Sequence, residues 1–447
     1  MGRRSISAAL AGAVLCAFVA QAKNVQVTPA IGSKCGTNPL SDGKVVQCTQ
    51  REFEVDRIYG SIAQVTVRIY GSDAQAEKCF KAALQEMTLH WNTIFTGPCL
   101  RASFHDCGTY HERMCTEVNG LAEPRGSCGG CNGSFRREFD EGAKANWKIF
   151  GQQNGMQLCY NFLWGDNHRM VERIRAHDGC SAMTEADIIN LVGMVAIFRS
   201  GGLPAKGCNW TPGRPDTGGV DETWHLPAHT STGAELMQTF EGYEFNQVMD
   251  FFDMGMAETV ATLNGAHTVG YDRVTDESPA SQGLGELSGT DILFDGQYYK
   301  EIVTGRKGWF ESDRHGLCNE LADPHLPLKK RRCLDEASPL AATVKKFAAG
   351  FQSGDDSAFH CAFCKAYQMI SHIGMVFDPN FHVDNPQFRI TKELMASLVP
   401  NVEAAKPAAE GAIAANEALT AAALSADFNV DPQGAGAVKL PYPAIPQ

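Results

Sequence analysis

This chain of 447 residues predicts a mainly α-helical fold, on three observations. Apolar residues recur at helical spacing in several long segments. The period-two alternation of half-buried strands is scarce. Gly and Pro punctuate the ends of the helical stretches.

The stretch from Lys23 to about Arg57 carries Cys and Gly without a clear period and is expected to wrap the domain surface. Ala76–Ile94 has Phe80, Leu84, Met87, Trp91 and Ile94 on one helical face, and Gly97-Pro98 is expected to end that helix. A second helix follows. Glu185–Arg199 is a third, with Ile188, Leu191, Val192, Val195 and Ile197 inward and Gly201-Gly202 closing it. Asn209–His229, rich in Pro, Gly and Thr, reads as a loop through Pro212-Gly-Arg214-Pro-Asp216. Met254–Gly265 is expected to be helical, as is Ala358–Ile373 with Phe359, Phe363, Ala366, Tyr367 and Ile370 inward. After about Pro400 the composition shifts to Ala with scattered Pro and Gly, as in an extension outside the core. There is no internal repeat.

Residues 1–22 combine Arg3 and Arg4, an apolar run from Ala8 to Ala20 and the small-residue ending Ala20-Gln-Ala22. They read as a cleaved secretory signal, with a signal anchor as the alternative. The expected domains are a signal peptide at 1–22, one domain at 23–400 and an extension at 401–447. No other stretch is apolar enough to span a bilayer, so an exported monomer with no membrane contact after cleavage is expected. The net charge of −12 opposes nucleic-acid binding. Lys329-Lys-Arg-Arg332 is the candidate cationic patch, against the plainer reading of a solvated loop.

Of the 16 cysteines, Cys16 lies in the signal, leaving an odd number. Export implies disulfides, with one thiol over. Cys128-Gly-Gly-Cys131 and Cys361-Ala-Phe-Cys364 also have zinc-ribbon spacing, the alternative use. Asn132-Gly-Ser134 and Asn209-Trp-Thr211 are glycosylation sequons, of which Asn209 is the plausible acceptor.

The chemistry is concentrated in Arg101-Ala-Ser-Phe104-His105-Asp106-Cys107 and in Gly265-Ala-His267-Thr268-Val-Gly270. On a helix, Arg101 and His105 share a face about 6 Å apart along the axis. A base beside a fixed cation suits heterolysis of a peroxide O–O bond, one moving the proton and the other stabilising the negative charge on oxygen. His267 would supply a metal ligand from the opposite side.

The first segment resembles the R-x-x-[FW]-H-D motif of the plant, fungal and bacterial haem peroxidase superfamily. Leu263-Asn-Gly-Ala-His267-Thr268 resembles its proximal-ligand motif, Glu185–Arg199 its central A-D-I-I helix, and Gly213-Arg214-Pro-Asp216 its G-R-x-D turn. The resemblance covers roughly residues 75 to 380. It implies two helical halves with haem b between them, His267 as iron ligand, and Asp313 as the carboxylate that keeps that imidazole electron-rich. The alternative for Asp313 is a helix cap. It also implies His105 as acid–base, Arg101 as charge stabiliser, and Phe104 beside His105 as in exported members, where the intracellular branch keeps Trp.

The family holds its distal His neutral with an Asn. One alignment puts Lys144 there and a two-residue shift puts Asn146, which is preferred because a lysine cannot accept a hydrogen bond. The resemblance further implies a Cys107–Cys131 bridge and two cation sites. Distally, Asp106, the Gly130 carbonyl, Asn132 and Ser134 match a calcium set, with Asn132 replacing an Asp and so bringing no charge; the calcium-free intracellular branch has a similar Asn-Gly-Ser. Proximally, Thr268, Ser288, Thr290, the Leu293 carbonyl and Asp295 match a set for calcium or potassium. Leu287 stands where a proximal aromatic is frequent, which argues against a tryptophan radical there.

The implied activity is that of an extracellular peroxidase, in which hydrogen peroxide oxidises a small organic, phenolic donor in one-electron steps. An ascorbate-peroxidase-like scavenger is the rival within the enzyme class, suggested by His105-Asp-Cys-Gly-Thr109-Tyr110. A haem-binding extracellular protein without turnover is the rival outside it.

Overall fold

The computed structural model describes residues 69–110, 129–144, 155–216, 219–221, 226–227, 231, 233–243, 252–272, 285–286, 292–304, 339–373 and 386–399. Asn146, Leu287, Ser288, Thr290, Asp313, residues 1–22 and the segment after Pro400 lie outside them. The chain divides into two units, Met1–Lys392 and Glu393–Gln447. Of the second, the described part is the remainder of a short helix, Lys392–Leu398, and Val399.

The first unit is mainly α-helical, as expected. In order it contains α1 (Asp73–Leu89), α2 (Thr96–Gly108), α3 (Phe135–Lys144), α4 (Gln157–Trp164), α5 (Met170–Ala176) and α6 (Glu185–Arg199). Then come β1 (Cys208–Asn209), α7 (Gly233–Glu241), α8 (Met256–Asn264), β2 (Tyr271–Asp272), β3 (Gly285–Glu286), α9 (Gln297–Thr304), α10 (Ala341–Ser353), α11 (Ser357–Ile370) and β4 (Arg389–Ile390). The strands are two-residue antiparallel pairs, β1 with β4 and β2 with β3. They pin loops and build no layer.

There are two helical layers; in one, α6 lies along α2 and also against α1. The other layer joins α8 to α11 and α7, and α9 to α10. From Glu185 through Ile197 every residue of α6 is buried, polar ones included. The expected apolar stripe is therefore only part of its buried surface, because a central helix is covered on all sides. Its start is doubly capped. Thr184 Oγ1 accepts from Asp187 N at 3.1 Å, while the Asp216 carboxylate accepts from Glu185 N and Ala186 N at 3.0 and 2.8 Å.

Two boundaries depart from the sequence reading. α1 begins earlier, where Ser72 caps Gln75 N, and stops at Leu89; Trp91 and Phe95 are buried in the following turn and 3₁₀ segment. Gly97-Pro98 does not terminate α1 but sits in the first turn of α2, where proline has no intrahelical donor to lose. Gly97 is required there, since a Cβ would come 2.7 Å from Gly270 Cα.

Four disulfides join the described elements. Cys79–Cys180 ties α1 to the loop before α6, Cys99–Cys159 ties α2 to α4, Cys107–Cys131 ties the end of α2 to the loop before α3, and Cys208–Cys364 ties β1 to α11. Each typically contributes about 2–4 kcal/mol by restricting the unfolded chain. The Cys107–Cys131 bridge is the one implied by the resemblance. The zinc-ribbon alternative is overturned, because Cys131 and Cys364 are both used in disulfides. Asn209 is not the glycosylation acceptor expected from its sequon: it is buried on β1 with its Oδ1 accepting from Arg389 Nε at 2.9 Å, and Asn132 is buried too.

Beside α11, His372 is buried against Arg214, with its ring bonded to Gln368 O and 3.1 Å from Thr211 Oγ1. Burial first, then the Arg214 charge, lower its pKa from 6.5 to about 3. Between those values the unfolded chain binds a proton that the folded chain refuses. This contribution is therefore complete above pH 6.5 and is lost as pH falls toward 3, on the order of 5 kcal/mol at full shift. Urea unfolding from pH 7 to pH 4 is expected to show a smaller loss of stability in His372→Gln than in wild type; parallel pH curves would refute this.

Candidate functional site

α2 carries the first histidine motif. Cys99, Leu100, Ala102, Ser103, Asp106 and Cys107 are buried, whereas Arg101 is exposed and Phe104 half-buried. Arg101, Phe104, His105 and Gly108 have the i, i+3, i+4, i+7 spacing of one helical face. Arg101 Nε donates to His105 Nε2 at 3.2 Å. A ring nitrogen that accepts from a guanidinium carries no proton, so His105 is neutral with its proton on Nδ1.

Phe104 stands edge-on to His105 at 6.0 Å between ring centroids and tilts against Phe240 of α7 at 6.3 Å. At the far end of the face a Cβ on Gly108 would meet Leu226 Cδ2 at 2.7 Å and Tyr243 Oη at 3.1 Å. These groups wall the face at its C-terminal end. Tyr367 of α11 reaches the other side of α2, its hydroxyl 3.0 Å from Ser103 Oγ and 2.7 Å from Asn190 O.

The loop before α3 gathers round Asp106. Its carboxylate accepts from Gly133 N and Phe135 N, both at 3.1 Å, yet burial outweighs these bonds and raises its pKa to about 7. Asn132 and Ser134 lie close by but turn to Asp221. That carboxylate accepts from Asn132 Nδ2 at 2.7 Å, Ser134 Oγ at 2.9 Å and Thr109 Oγ1 at 3.2 Å. Burial raises Asp221 to about 6 against the pull of the three bonds. Gly130 joins through its N–H, which donates to Thr109 Oγ1 at 3.2 Å.

The distal set is thus assembled and closed by hydrogen bonds around a carboxylate that the sequence reading missed. Among the described residues no group of three or more His, Cys, Asp or Glu side chains gathers for a metal. Lys144 is exposed, with Nζ 2.6 Å from Glu141 Oε1. Its amine is accounted for at the surface.

His267 lies on the 3₁₀ turn Gly265–Thr268 that follows α8. Gly265 has to be glycine, since a Cβ would meet the Tyr299 hydroxyl and Phe359 ring. His267 is half-buried, between half-buried Ala266 and buried Thr268, and Tyr298 of α9 stands edge-on to it at 6.1 Å. The next residue, Thr268, donates from Oγ1 to Asp295 Oδ1 at 3.1 Å and lies 3.4 Å from Leu293 O. Thr268, Leu293 and Asp295 of the proximal cation set are therefore together. The Gly97–Gly270 approach draws the start of α2 onto the segment after His267.

The donor chemistry fits a haem. The half-buried imidazole of His267 is of a kind that can ligate iron, and one face of α2 carries exposed Arg101, half-buried Phe104 and buried His105.

A comparison with known families gives a match to the family described as Peroxidase over residues 76–325, more than half of the chain. The L-ascorbate peroxidase 2, cytosolic, of Oryza sativa subsp. japonica is 27% identical over 208 residues, covering 46% of this chain and 67% of its own length. The matched span contains both histidine motifs, the central helix α6 and the turn that caps it. The chain belongs to the peroxidase family and is an oxidoreductase of the haem-dependent, hydrogen-peroxide-using kind.

Proposed function

We propose that the chain is an exported haem peroxidase that uses hydrogen peroxide to oxidise small phenolic donors by one-electron steps. The observation that carries this reading is the Arg101–His105 hydrogen bond, which joins a permanent cation to a neutral base. When bound, haem b supplies the iron that accepts two electrons' worth of oxidation from peroxide and passes it on one electron at a time.

His105 accepts the proton of hydrogen peroxide at Nε2, exchanging its bond from Arg101 for one from the peroxide, and returns that proton to the departing oxygen. Arg101 stabilises the negative charge that develops on that oxygen. Phe104, half-buried, stands beside His105 on the same face of α2. His267 is the iron ligand, with Asp313 as acceptor for its second ring nitrogen, and Asn146 is the acceptor for His105 Nδ1. Over one cycle two donors each lose an electron and a proton, and hydrogen peroxide becomes two waters.

Calcium or potassium is proposed at Thr268, Ser288, Thr290, Leu293 and Asp295. The hydrogen-bond closure of Asp106, Asn132, Ser134 and Asp221 favours a cation-free distal loop. Export through residues 1–22 agrees with the four disulfides, and among the described residues no helix is long and apolar enough to cross a membrane.

Ascorbate oxidation is the second reading, favoured by the similarity to the rice ascorbate peroxidase and by that closed distal loop. Steady-state rates with a simple phenol and with ascorbate, at equal concentration and saturating peroxide, separate the two. A phenol rate at least tenfold higher is expected; the reverse ratio would replace the phenolic assignment with the scavenger.

A further inference from the structure

The turn that carries His267 begins with a break in a hydrogen-bond ladder. In a continuing α-helix the N–H of Gly265 would bond Ala261 O, four residues back; here it turns instead to Leu263 O and Thr262 O. The Ala261 carbonyl is taken by a side chain. Tyr299 of α9, fully buried, donates its hydroxyl to Ala261 O at 2.9 Å and lies 3.2 Å from Thr262 O. The Gly265 N–H also meets the hydroxyl oxygen, and a Cβ on that glycine would come 2.1 Å from it. The hydroxyl thus sits inside the ladder, at the point where α8 tightens into the 3₁₀ segment Gly265–Thr268.

Resting on the haem peroxidase reading, we infer that Tyr299 is a positioning residue for the iron ligand: its hydroxyl, set between Ala261 O and Gly265 N–H, switches the chain from α to 3₁₀ winding and so fixes the bearing of the His267 imidazole. The backbone supplies no left-handed stop of its own. Asn264 and Gly265 keep right-handed helical angles, φ −59 ψ −25 and φ −61 ψ −12, so the glycine does not end α8 as a left-handed cap would. An α-helix turns by about 100° per residue and a 3₁₀-helix by about 120°. Between Asn264 and His267 the difference grows to roughly 60°, enough to aim the ring at different neighbours.

A tyrosine that merely caps a helix would need only the carbonyls. Tyr299 is held more closely than that. Its ring packs against Tyr298, Phe347 and Phe359 at 5.1, 5.0 and 5.1 Å between centroids. Burial holds its hydroxyl well above the usual tyrosine range, so it stays a donor at working pH. The preceding residue, Tyr298, stands edge-on to the His267 ring. At the start of α9, Asp295 Oδ1 accepts from Thr268 Oγ1 at 3.1 Å and from Gln297 N at 2.9 Å. α9 therefore grips the turn at its entry through Tyr299 and at its exit through Asp295, with His267 between them.

Tyr299→Phe keeps the ring and removes the hydroxyl. In the haem-loaded full chain it is expected to speed haem transfer to apomyoglobin at least tenfold and to shift the iron–imidazole stretching band in the resonance Raman spectrum of the ferrous form. Hydrogen exchange of the peptide spanning Gly265–Thr268 is expected to be at least tenfold faster than in wild type. Gly265→Ala, which drives a methyl group into the hydroxyl, is expected to move all three readouts the same way. Unchanged haem transfer and an unchanged band in Tyr299→Phe, even with faster exchange, would leave the hydroxyl a helix cap only and overturn this inference alone. A wild-type chain that takes up no haem would overturn the peroxidase reading and this inference with it.

Discussion

His105→Ala is expected to keep haem and to lose peroxide turnover by roughly 10²- to 10⁴-fold, the usual worth of a positioned acid–base group. The residue lies on α2, while the proposed iron ligand His267 lies on a separate turn after α8, so deleting one imidazole leaves the other in place. The deletion removes the acceptor of the Arg101 Nε bond and leaves the cation without the base that moves the proton. Arg101 alone would still stabilise charge, which is why a residual rate is expected. His267→Ala should behave in the opposite way, losing haem itself. Stopped-flow absorbance of both variants checks the pair. A His105→Ala rate within threefold of wild type would remove His105 from the mechanism.

Arg214→Met is expected to destabilise the fold by roughly 3–5 kcal/mol, the cost of leaving one member of a buried ion pair uncompensated. Arg214 and Asp187 are both fully buried, with Nη1 at 3.0 Å from Asp187 Oδ1. The arginine also donates to Ser371 O from Nε at 3.0 Å and to Thr211 O. Asp187 accepts in addition from Gly213 N at 2.8 Å, Arg214 N at 3.1 Å and the Tyr70 hydroxyl at 2.6 Å. One carboxylate thus joins the segment before α1, the start of α6 and the turn after β1.

Replacing both partners of a buried pair is often nearly neutral, but here Asp187→Ala/Arg214→Met should not recover the loss. The two backbone donors and the Tyr70 hydroxyl would then be buried without an acceptor. Urea unfolding of the disulfide-intact protein measures both variants. A loss below 1 kcal/mol in Arg214→Met, or full recovery in the double variant, would contradict this view of the turn.

The helices were legible where apolar spacing is local and long. Glu185–Arg199 was found at both ends, and α11 differs from its expected span by only a few residues. Gly97-Pro98 misled because Pro is compatible both with the residue after one helix and with the first turn of the next. The paired histidine motifs were legible because each needs a few adjacent residue types. So were Asp106, Asn132 and Ser134, and the grouping of Thr268, Leu293 and Asp295.

Asp221 was not legible. It meets Asn132 across 89 residues of sequence, and a lone aspartate in a loop carries no periodic signal. The Asp187–Arg214 pair was equally hidden, although the Gly-Arg-Pro-Asp turn was noticed; nothing local says that its arginine points into the core. The sequon at Asn209 misled for a related reason, since a two-residue strand paired 180 residues away buries the side chain that the motif would modify.

The most direct measurement is the absorbance spectrum of the purified, haem-loaded chain before and after one equivalent of hydrogen peroxide, followed by a phenolic donor. The account predicts a Soret band that changes within seconds of peroxide addition and returns when the donor is added. A Soret band indifferent to peroxide would contradict the assignment of Arg101 and His105, and a protein that takes up no haem would contradict that of His267.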